Sequence, residues 1–120
     1  GPRFPDMNDA YSPELRALAT QVAEEQGIKL QYGCYVALTG PTFETPKEYY
    51  YVKAIGGDAV GMSTAPEVIA ARHMGLPVFG VSIITDTMDN LSVSHEEVQR
   101  EGKKAEKRMS ALIIGMLEKM

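Results

Sequence analysis

Three groups of polar side chains in this sequence each follow a short apolar run, directly or within a few residues. The groups are Glu44 after residues 35–38, Ser63 with Thr64 after residues 58–62, and Thr85 with Asp86 after residues 77–84. Short apolar runs bounded by turn residues are typical of buried strands, and ligands bind at the carboxyl ends of the strands in open α/β sheets. These carboxylates and hydroxyls are therefore candidate ligand contacts.

Glu44 lies in a turn between a predicted strand and a predicted helix. Thr45 has the features of an N-cap, Pro46 suits the first helical position, and Glu48 completes a capping box. A carboxylate in such a turn suits donors on a ligand, such as a ring N–H or an amino group, and one charge-assisted hydrogen bond contributes about 1.5–3 kcal/mol. The alternative is a solvated loop carboxylate that binds nothing.

Ser63 and Thr64 stand at the predicted start of another helix, in which Thr64 would be the N-cap and Glu67 its capping-box partner. Hydroxyls, free backbone N–H groups and the helix dipole at such a position suit an oxyanion such as phosphate. Carboxylates repel phosphate, so Glu44 and Asp86 would face other parts of a ligand. The alternative is that both hydroxyls are ordinary helix caps.

Asp86 is a candidate general acid. Carboxyl groups crowded at a dry sheet edge hold a proton more tightly because of desolvation and mutual repulsion. Such a group could give its proton to a leaving nitrogen, which is worth about 10²–10⁴ in rate. His95 stands in the first turn of the last predicted helix, where the dipole disfavours a protonated ring. We expect either a neutral, hydrogen-bonding imidazole there or an ordinary surface histidine.

Composition excludes several classes of function. The net charge of -4 gives no general attraction to nucleic acid or to an anionic membrane surface. The apolar stretches are too short to span a bilayer and no signal-peptide segment is visible, which favours a cytoplasmic location. The single cysteine, Cys34, rules out an internal disulfide, and its apolar surroundings in the sequence predict a buried thiol. No metal site is predicted.

The predicted elements alternate between helices and apolar strands. The helices are expected at residues 13–26, at 46–55, between Thr64 and Gly75 and from Ser94 onward, and the strands at 28–39, 58–62 and 77–84. This alternation is typical of crossover units on a parallel sheet that helices cover on both faces. We therefore predict an α/β fold in one domain, residues 1–120, with a mostly parallel sheet flanked by helices. Parallel pairing would bring the three polar groups together at one edge.

Three stretches closely resemble the trimeric purine nucleoside phosphorylases. They are residues 40–45 (GPTFET), residues 58–73 (DAVGMSTAPEVIAARH) and residues 95–98 (HEEV). Residues 1–7 (GPRFPDM) are also similar to a segment past the middle of that family's chain. The resemblance covers nearly the whole sequence. It implies a partial phosphorylase-type fold that forms the carboxyl-terminal part of a chain more than twice as long.

In that family, inorganic phosphate displaces a purine base from a nucleoside and gives ribose 1-phosphate, without a cofactor. The resemblance implies that Glu44 holds the purine at N1–H with Phe43 near the base, and that Thr85 and Asp86 hold the base and its N7. It also implies that Met62 lies beneath the ribose, that Ser63 contacts phosphate and that His95 reaches the 5′-hydroxyl. Many members carry Asn where this chain has Asp86, which leaves the choice between 6-oxopurines and 6-aminopurines open. The resemblance also implies a homotrimer.

The family's phosphate site also needs an amino-terminal serine loop, a segment with arginine and histidine, and a strand beside the base, none of which is found in these 120 residues. We therefore expect this chain alone to be inactive or nearly so and to expose apolar surface. Two alternatives stay open. One is a phosphorylase acting on 5′-methylthioadenosine, whose members usually carry a small polar residue in place of Glu44. The other is a non-catalytic nucleoside-binding fragment.

Overall fold

The computed structural model describes residues 1–89 and 94–120 of the chain. Its elements, in chain order, are α1 (Pro13–Gln26), β1 (Tyr35–Ala37), α2 (Pro46–Ala54), β2 (Ala59–Gly61), α3 (Ala65–His73) and α4 (His95–Lys119). The two strands pair in parallel and a helix connects them, which confirms the α/β prediction. The chain divides into two compact units, one of Gly1–Tyr11 with Tyr32–Gly80 and one of Ser12–Gln31 with Val81–Met120. The expectation that residues 1–120 act as one domain stays a prediction.

Helix α1 begins and ends at the residues that the sequence predicts. The Ser12 hydroxyl oxygen accepts a hydrogen bond from the Leu15 backbone N–H at 3.2 Å and so caps the first turn. Gly27 follows the last turn with a φ of 67°, the left-handed conformation that glycine adopts at little cost. Both signals are local in sequence, so they fix the two ends of this helix through contacts within a few residues.

The capping box of α2 is complete and starts the helix directly after the Glu44 turn. The Thr45 hydroxyl accepts from the Glu48 backbone N–H at 3.3 Å, while Glu48 Oε2 accepts from the Thr45 backbone N–H at 2.6 Å and hydroxyl at 2.7 Å. These bonds, first of all the backbone one, lower the pKa of Glu48 from its ordinary value of 4.5. Their contribution to stability is therefore fully present above pH 4.5 and is lost as the pH falls through the lowered pKa. Helix α4 begins with the same device, Ser94 with Glu97.

Replacing Thr45 with alanine removes the hydroxyl from this capping box. We expect Thr45→Ala to lower the free energy of unfolding by about 0.5–2 kcal/mol, because the Glu48 backbone N–H loses its acceptor. Urea denaturation followed by circular dichroism measures the change. Thr39→Ala, at an exposed position outside the helices, is the matched control and should stay within about 0.5 kcal/mol of the unmodified chain. An equal loss in both variants would contradict the capping role.

The first unit is built on a short parallel ladder. β1 and β2 pair over three residues each, and the Leu38 N–H extends the ladder by donating to the Gly61 carbonyl at 2.8 Å. The buried Val52 of α2 and Val36 of β1 both lie against Gly57 at the end of the α2 segment, so the helix covers one face of the pair. The carboxyl ends of the two strands therefore lie side by side.

The prediction of a third strand at residues 77–84 is wrong. Within the described residues the sheet consists of β1 and β2, and residues 77–84 belong to neither a helix nor a strand. An apolar run becomes a strand only where a neighbouring strand satisfies its backbone hydrogen bonds, and neither β1 nor β2 pairs with this run. The first strand is also shorter than the predicted 28–39, because β2 offers it only three partners.

Helices α1 and α4 form the core of the second unit. Their buried residues are Ala19, Val22 and Ala23 of α1 and Leu112, Gly115 and Met116 of α4. A side chain at Gly115 would meet Val22 Cγ1 at 2.6 Å, so the absence of one lets the two helices approach closely. Two polar contacts flank the apolar seam: Gln26 Nε2 donates to the Ala111 carbonyl at 3.2 Å, and Lys119 lies 3.1 Å from a Glu25 carboxylate oxygen.

Cys34 is exposed, so the prediction of a buried thiol is wrong. The residue lies just before β1 and joins the structure through its backbone. Its N–H donates to Asp58 Oδ2 at 2.8 Å, and its carbonyl accepts from the Asp58 N–H at 2.8 Å. An apolar sequence neighbourhood does not bury a side chain where the paired strand is only three residues long.

Candidate active site

The turn after β1 presents Phe43 and Glu44. The Phe43 side chain is 53% exposed, and the partly buried Glu44 has no hydrogen bond or ion pair with the rest of residues 1–89 and 94–120. A carboxylate without a partner, next in sequence to an exposed aromatic ring, suits a planar ligand that carries N–H donors. These two of the four residues that the resemblance assigns to the base are therefore available to a ligand.

Met62 follows β2 and reaches the turn after β1. A Cβ at Gly40 would lie against the Met62 sulfur, and the φ of 63° at Gly40 is a backbone conformation that favours glycine. The ends of the two strands are thus in contact, as parallel pairing predicts. The Met62 side chain is still 49% exposed, which leaves an apolar surface beside the turn.

Ser63 is held by Tyr35, the first residue of β1. The Ser63 N–H donates to the Tyr35 hydroxyl at 3.3 Å, and the two hydroxyl oxygens are 3.4 Å apart. A Cβ at Gly61 would collide with the Tyr35 hydroxyl, so this glycine lets the tyrosine side chain cross β2. The sequence patterns did not predict Tyr35 as a site residue. The signal that could have found it is a large aromatic residue in one strand with a glycine at the end of the strand beside it.

The capping box predicted for α3 is wrong. Thr64 has φ 77° and ψ -61°, and the Ala65 N–H donates to the Ser63 carbonyl at 2.9 Å, which makes a γ-turn centred on Thr64. Its hydroxyl lies 3.1 Å from the Ser63 hydroxyl and caps no N–H of the helix. A positive φ at a residue other than glycine costs about 1–3 kcal/mol and is typical of functional sites.

The start of α3 offers few free donors to an anion. The Ala65 N–H is used inside the γ-turn, Pro66 has no N–H, and the Val68 N–H donates to the Thr64 carbonyl at 3.0 Å. Within the described residues, the Glu67 N–H has no backbone partner. Of the first N–H groups of α3, the one at Glu67 is therefore left for an anion, beside the N–H of Thr64 and the hydroxyls of Ser63 and Thr64.

An open pocket of about 540 Å³ lies beside Ser63. Its walls come from α3 and from residues 76–80 and are mostly apolar. None of the described residues that line it is positively charged, and Glu67 adds a negative charge. The pocket can take a neutral or apolar group, whereas a phosphate there would lack electrostatic stabilisation from the described residues.

The remaining predicted site residues belong to the second unit. The Thr85 hydroxyl donates to Asp86 Oδ1 at 3.0 Å, and both residues are partly buried. This bond orients the Asp86 carboxyl group and leaves Oδ2 without a partner among the described residues. His95 Nε2 lies 3.1 Å from Gln99 Nε2, one turn further along α4. That Thr85, Asp86 and His95 meet the turn and the serine of the first unit stays a prediction.

In residues 1–89 and 94–120 the structure places no group of three histidine, cysteine, aspartate or glutamate side chains that could hold a metal ion. Within the same ranges, no helix combines the length and the apolar character that crossing a membrane requires.

Comparison with known proteins gives consistent matches. Residues 1–118 match the family model described as Phosphorylase superfamily. Purine nucleoside phosphorylase 1 of Geobacillus stearothermophilus is 50% identical over 101 residues, which is 82% of this chain and 37% of that protein.

Two solved structures have the same fold in the matched part. A Schistosoma purine nucleoside phosphorylase in complex with hypoxanthine superposes with a TM-score of 0.94 at 42% identity, covering 100% of this chain and 45% of that one. Isoform 2 of the Schistosoma mansoni enzyme, in complex with cytosine and ribose-1-phosphate, superposes with a TM-score of 0.92 at 36% identity, covering 97% and 43%. The chain thus spans less than half the length of these relatives and matches their carboxyl-terminal part. It belongs to the phosphorylase superfamily.

Proposed function

We propose that this chain supplies the base-binding and ribose-binding surface, and part of the phosphate site, of a purine nucleoside phosphorylase. In this reaction a phosphate oxygen attacks C1′ of the nucleoside while the C1′–N9 bond breaks and its electron pair leaves with the base. The products are a free purine and ribose 1-phosphate. The enzyme is a pentosyltransferase of purine salvage, with phosphate as co-substrate and no cofactor.

One observation carries the proposal. The Gly40 turn, Met62 and Ser63 meet at the carboxyl edge of β1 and β2, where ligands bind in parallel sheets. Relatives with the same fold have been solved with hypoxanthine and with ribose-1-phosphate, which are a free base and a sugar phosphate of the kinds that phosphorolysis produces.

Four residues would hold the base. The Glu44 carboxylate has no partner of its own in the described residues, so it is available to accept a hydrogen bond from the purine N1–H. The exposed Phe43 side chain packs near the ring. Asp86, oriented by the Thr85 hydroxyl, faces N7 with Oδ2. A proton delivered from there neutralises the electron pair that the base takes with it and so assists C1′–N9 cleavage.

Three residues would hold the sugar and the phosphate. Met62, half exposed beside the turn, lies beneath the ribose, and His95 bonds the 5′-hydroxyl. The Ser63 hydroxyl donates to a phosphate oxygen. Because no positive charge lines the pocket beside it, phosphorolysis by these 120 residues should be at least about 10²-fold slower than by the Geobacillus stearothermophilus relative.

We further propose that the working assembly is a cytoplasmic homotrimer that binds neither nucleic acid nor membranes. The support is an apolar surface on α2 and the charge of the chain. Tyr50, Tyr51 and Ile55 are each more than half exposed, and apolar surface of this kind usually meets another protein surface. The net charge of -4 does not favour polyanions.

Calorimetric titration of the 120-residue chain, together with a coupled assay of inosine phosphorolysis, tests the proposed function. We expect hypoxanthine and inorganic phosphate to bind, 5′-methylthioadenosine to bind more weakly, and turnover to be slow. The control is the same titration with uracil, a planar base without the imidazole ring that Asp86 would face.

Each other outcome contradicts part of the proposal. If hypoxanthine does not bind, the proposed base site is wrong. Tighter binding of 5′-methylthioadenosine than of hypoxanthine would favour a phosphorylase that acts on 5′-methylthioadenosine. Binding of hypoxanthine without phosphate binding or turnover would indicate a non-catalytic nucleoside-binding fragment. Turnover near that of the Geobacillus stearothermophilus relative would contradict the expected weakness of the phosphate site.

A further inference from the structure

The Tyr35 side chain reaches from β1 across β2 to Ser63, the second residue after that strand. Its oxygen lies 3.3 Å from the Ser63 nitrogen and 3.4 Å from the Ser63 hydroxyl oxygen, so one side chain contacts both polar groups of that serine. A Cβ at Gly61 would close the path that the tyrosine side chain takes. The contact therefore depends on a matched pair, a tyrosine on one strand and a glycine on the other.

This contact matters because few other hydrogen-bond donors lie near Ser63. The γ-turn at Thr64 uses the first N–H of α3, Pro66 has none, and the third N–H of the helix is the one left free. The donors that the described residues offer to an anion here are therefore the hydroxyls of Ser63 and Thr64, which lie 3.1 Å apart, and the N–H groups of Thr64 and Glu67. A serine hydroxyl takes the orientation that its hydrogen-bond partners give it.

We infer that Tyr35 is a positioning residue for phosphate, which fixes the backbone and the hydroxyl of Ser63 through its own hydroxyl. The Ser63 N–H donates to the tyrosine oxygen. The tyrosine proton is then free to be donated to Ser63 Oγ. The serine proton is donated to a phosphate oxygen when the anion binds, in place of the Thr64 hydroxyl oxygen 3.1 Å away. Hydrogen bonds in such a chain polarise one another and strengthen the last donor. The inference deepens the proposed function and rests on it for the identity of the anion.

The Tyr35→Phe variant tests this inference because it keeps the ring and removes the hydroxyl alone. In the 120-residue chain without ligand, we expect amide hydrogen exchange at Ser63, followed by NMR, to become about 3- to 10-fold faster, since the N–H loses its partner. Calorimetric titration should show inorganic phosphate binding about 3- to 10-fold more weakly, with hypoxanthine affinity unchanged. A merely structural role would weaken both ligands together.

Two further variants sharpen the test. Tyr50→Phe makes the same substitution at an exposed tyrosine of α2, and it should change neither Ser63 exchange nor phosphate affinity. In a Ser63→Ala background, Tyr35→Phe should weaken phosphate less than it does in the unmodified chain, because the group it positions is gone.

Failure of this inference and failure of the proposed function give different experimental results. Unchanged Ser63 exchange in Tyr35→Phe would overturn the inference and leave the proposed function intact. Tighter phosphate binding, or an equal loss for hypoxanthine, would overturn it as well. No phosphate binding by the unmodified chain would overturn the phosphate site of the proposed function, and the phosphate role of Tyr35 with it.

Discussion

Replacing Leu112 with alanine should lower the free energy of unfolding of this chain by about 2–5 kcal/mol. Leu112 is 1% exposed and is the largest fully buried side chain of the chain's described residues. It lies on the side of α4 that meets α1, one turn before Gly115, where the two helices approach closely. The surrounding side chains of a close-packed core fill such a space only in part. The loss therefore includes both the transfer of the missing methyl groups and the cavity they leave.

Urea denaturation followed by the far-ultraviolet circular dichroism signal measures this effect, because most helical residues belong to α1 and α4. Ile114→Ala is the matched control. Ile114 is two positions away on the same helix but 56% exposed, so its replacement should change the free energy of unfolding by less than about 0.5 kcal/mol. Similar losses for the two variants would mean that the seam between α1 and α4 is not the core of this unit.

The parts of the fold that the sequence predicts well are those fixed by local contacts. Ser12, Thr45 and Ser94 each cap a helix through bonds that span three residues, and all three helices start where these residues stand. These caps need contacts within a few residues only, so their sequence signature predicts the helix start where no contact from elsewhere in the chain competes.

Thr64 shows where local signals fail. Its sequence context also matches a capping box, yet its hydroxyl bonds to Ser63 and its backbone forms a γ-turn. Ser63 is in turn bonded to Tyr35, which lies 28 residues before it. Strand pairing brings these residues together, and the sequence spacing alone does not reveal that. The same reason explains the missing third strand, since residues 77–84 have the composition of a strand but no partner in β1 or β2.

The site is predictable to the extent that it follows from parallel pairing. Pairing of β1 with β2 places the Gly40 turn against Met62, as the sequence indicates. Tyr35 was not predictable, because its role depends on the glycine that lets it cross β2. The small number of free N–H groups at the start of α3 was not predictable either, because it arises from a γ-turn that uses the first of them. The same holds for the absence of positive charge among the described residues that line the neighbouring pocket.

Replacing Glu44 with alanine should weaken the binding of hypoxanthine by about 10- to 150-fold. Hypoxanthine carries a hydrogen on N1, and a charge-assisted hydrogen bond from that group to a carboxylate contributes about 1.5–3 kcal/mol. Glu44 is partly buried and has no partner in residues 1–89 and 94–120, so no other bond of the protein is lost with it. Calorimetric titration of the 120-residue chain measures the change. Glu24→Ala, at an exposed position of α1, removes the same charge and should leave the affinity unchanged.

The binding of adenine distinguishes direct recognition of the base by Glu44 from a general effect of the substitution on the turn. Adenine has no hydrogen on N1, so it cannot make the bond, and the Glu44→Ala variant should bind it as well as the unmodified chain does. The preference for hypoxanthine over adenine should therefore fall by the same 10- to 150-fold factor, on the order of one charge-assisted hydrogen bond. Glu44→Gln keeps an oxygen acceptor without the charge, so it should weaken the binding of hypoxanthine less than Glu44→Ala does. If both bases weaken equally, Glu44 supports the turn between β1 and α2 and does not read the base.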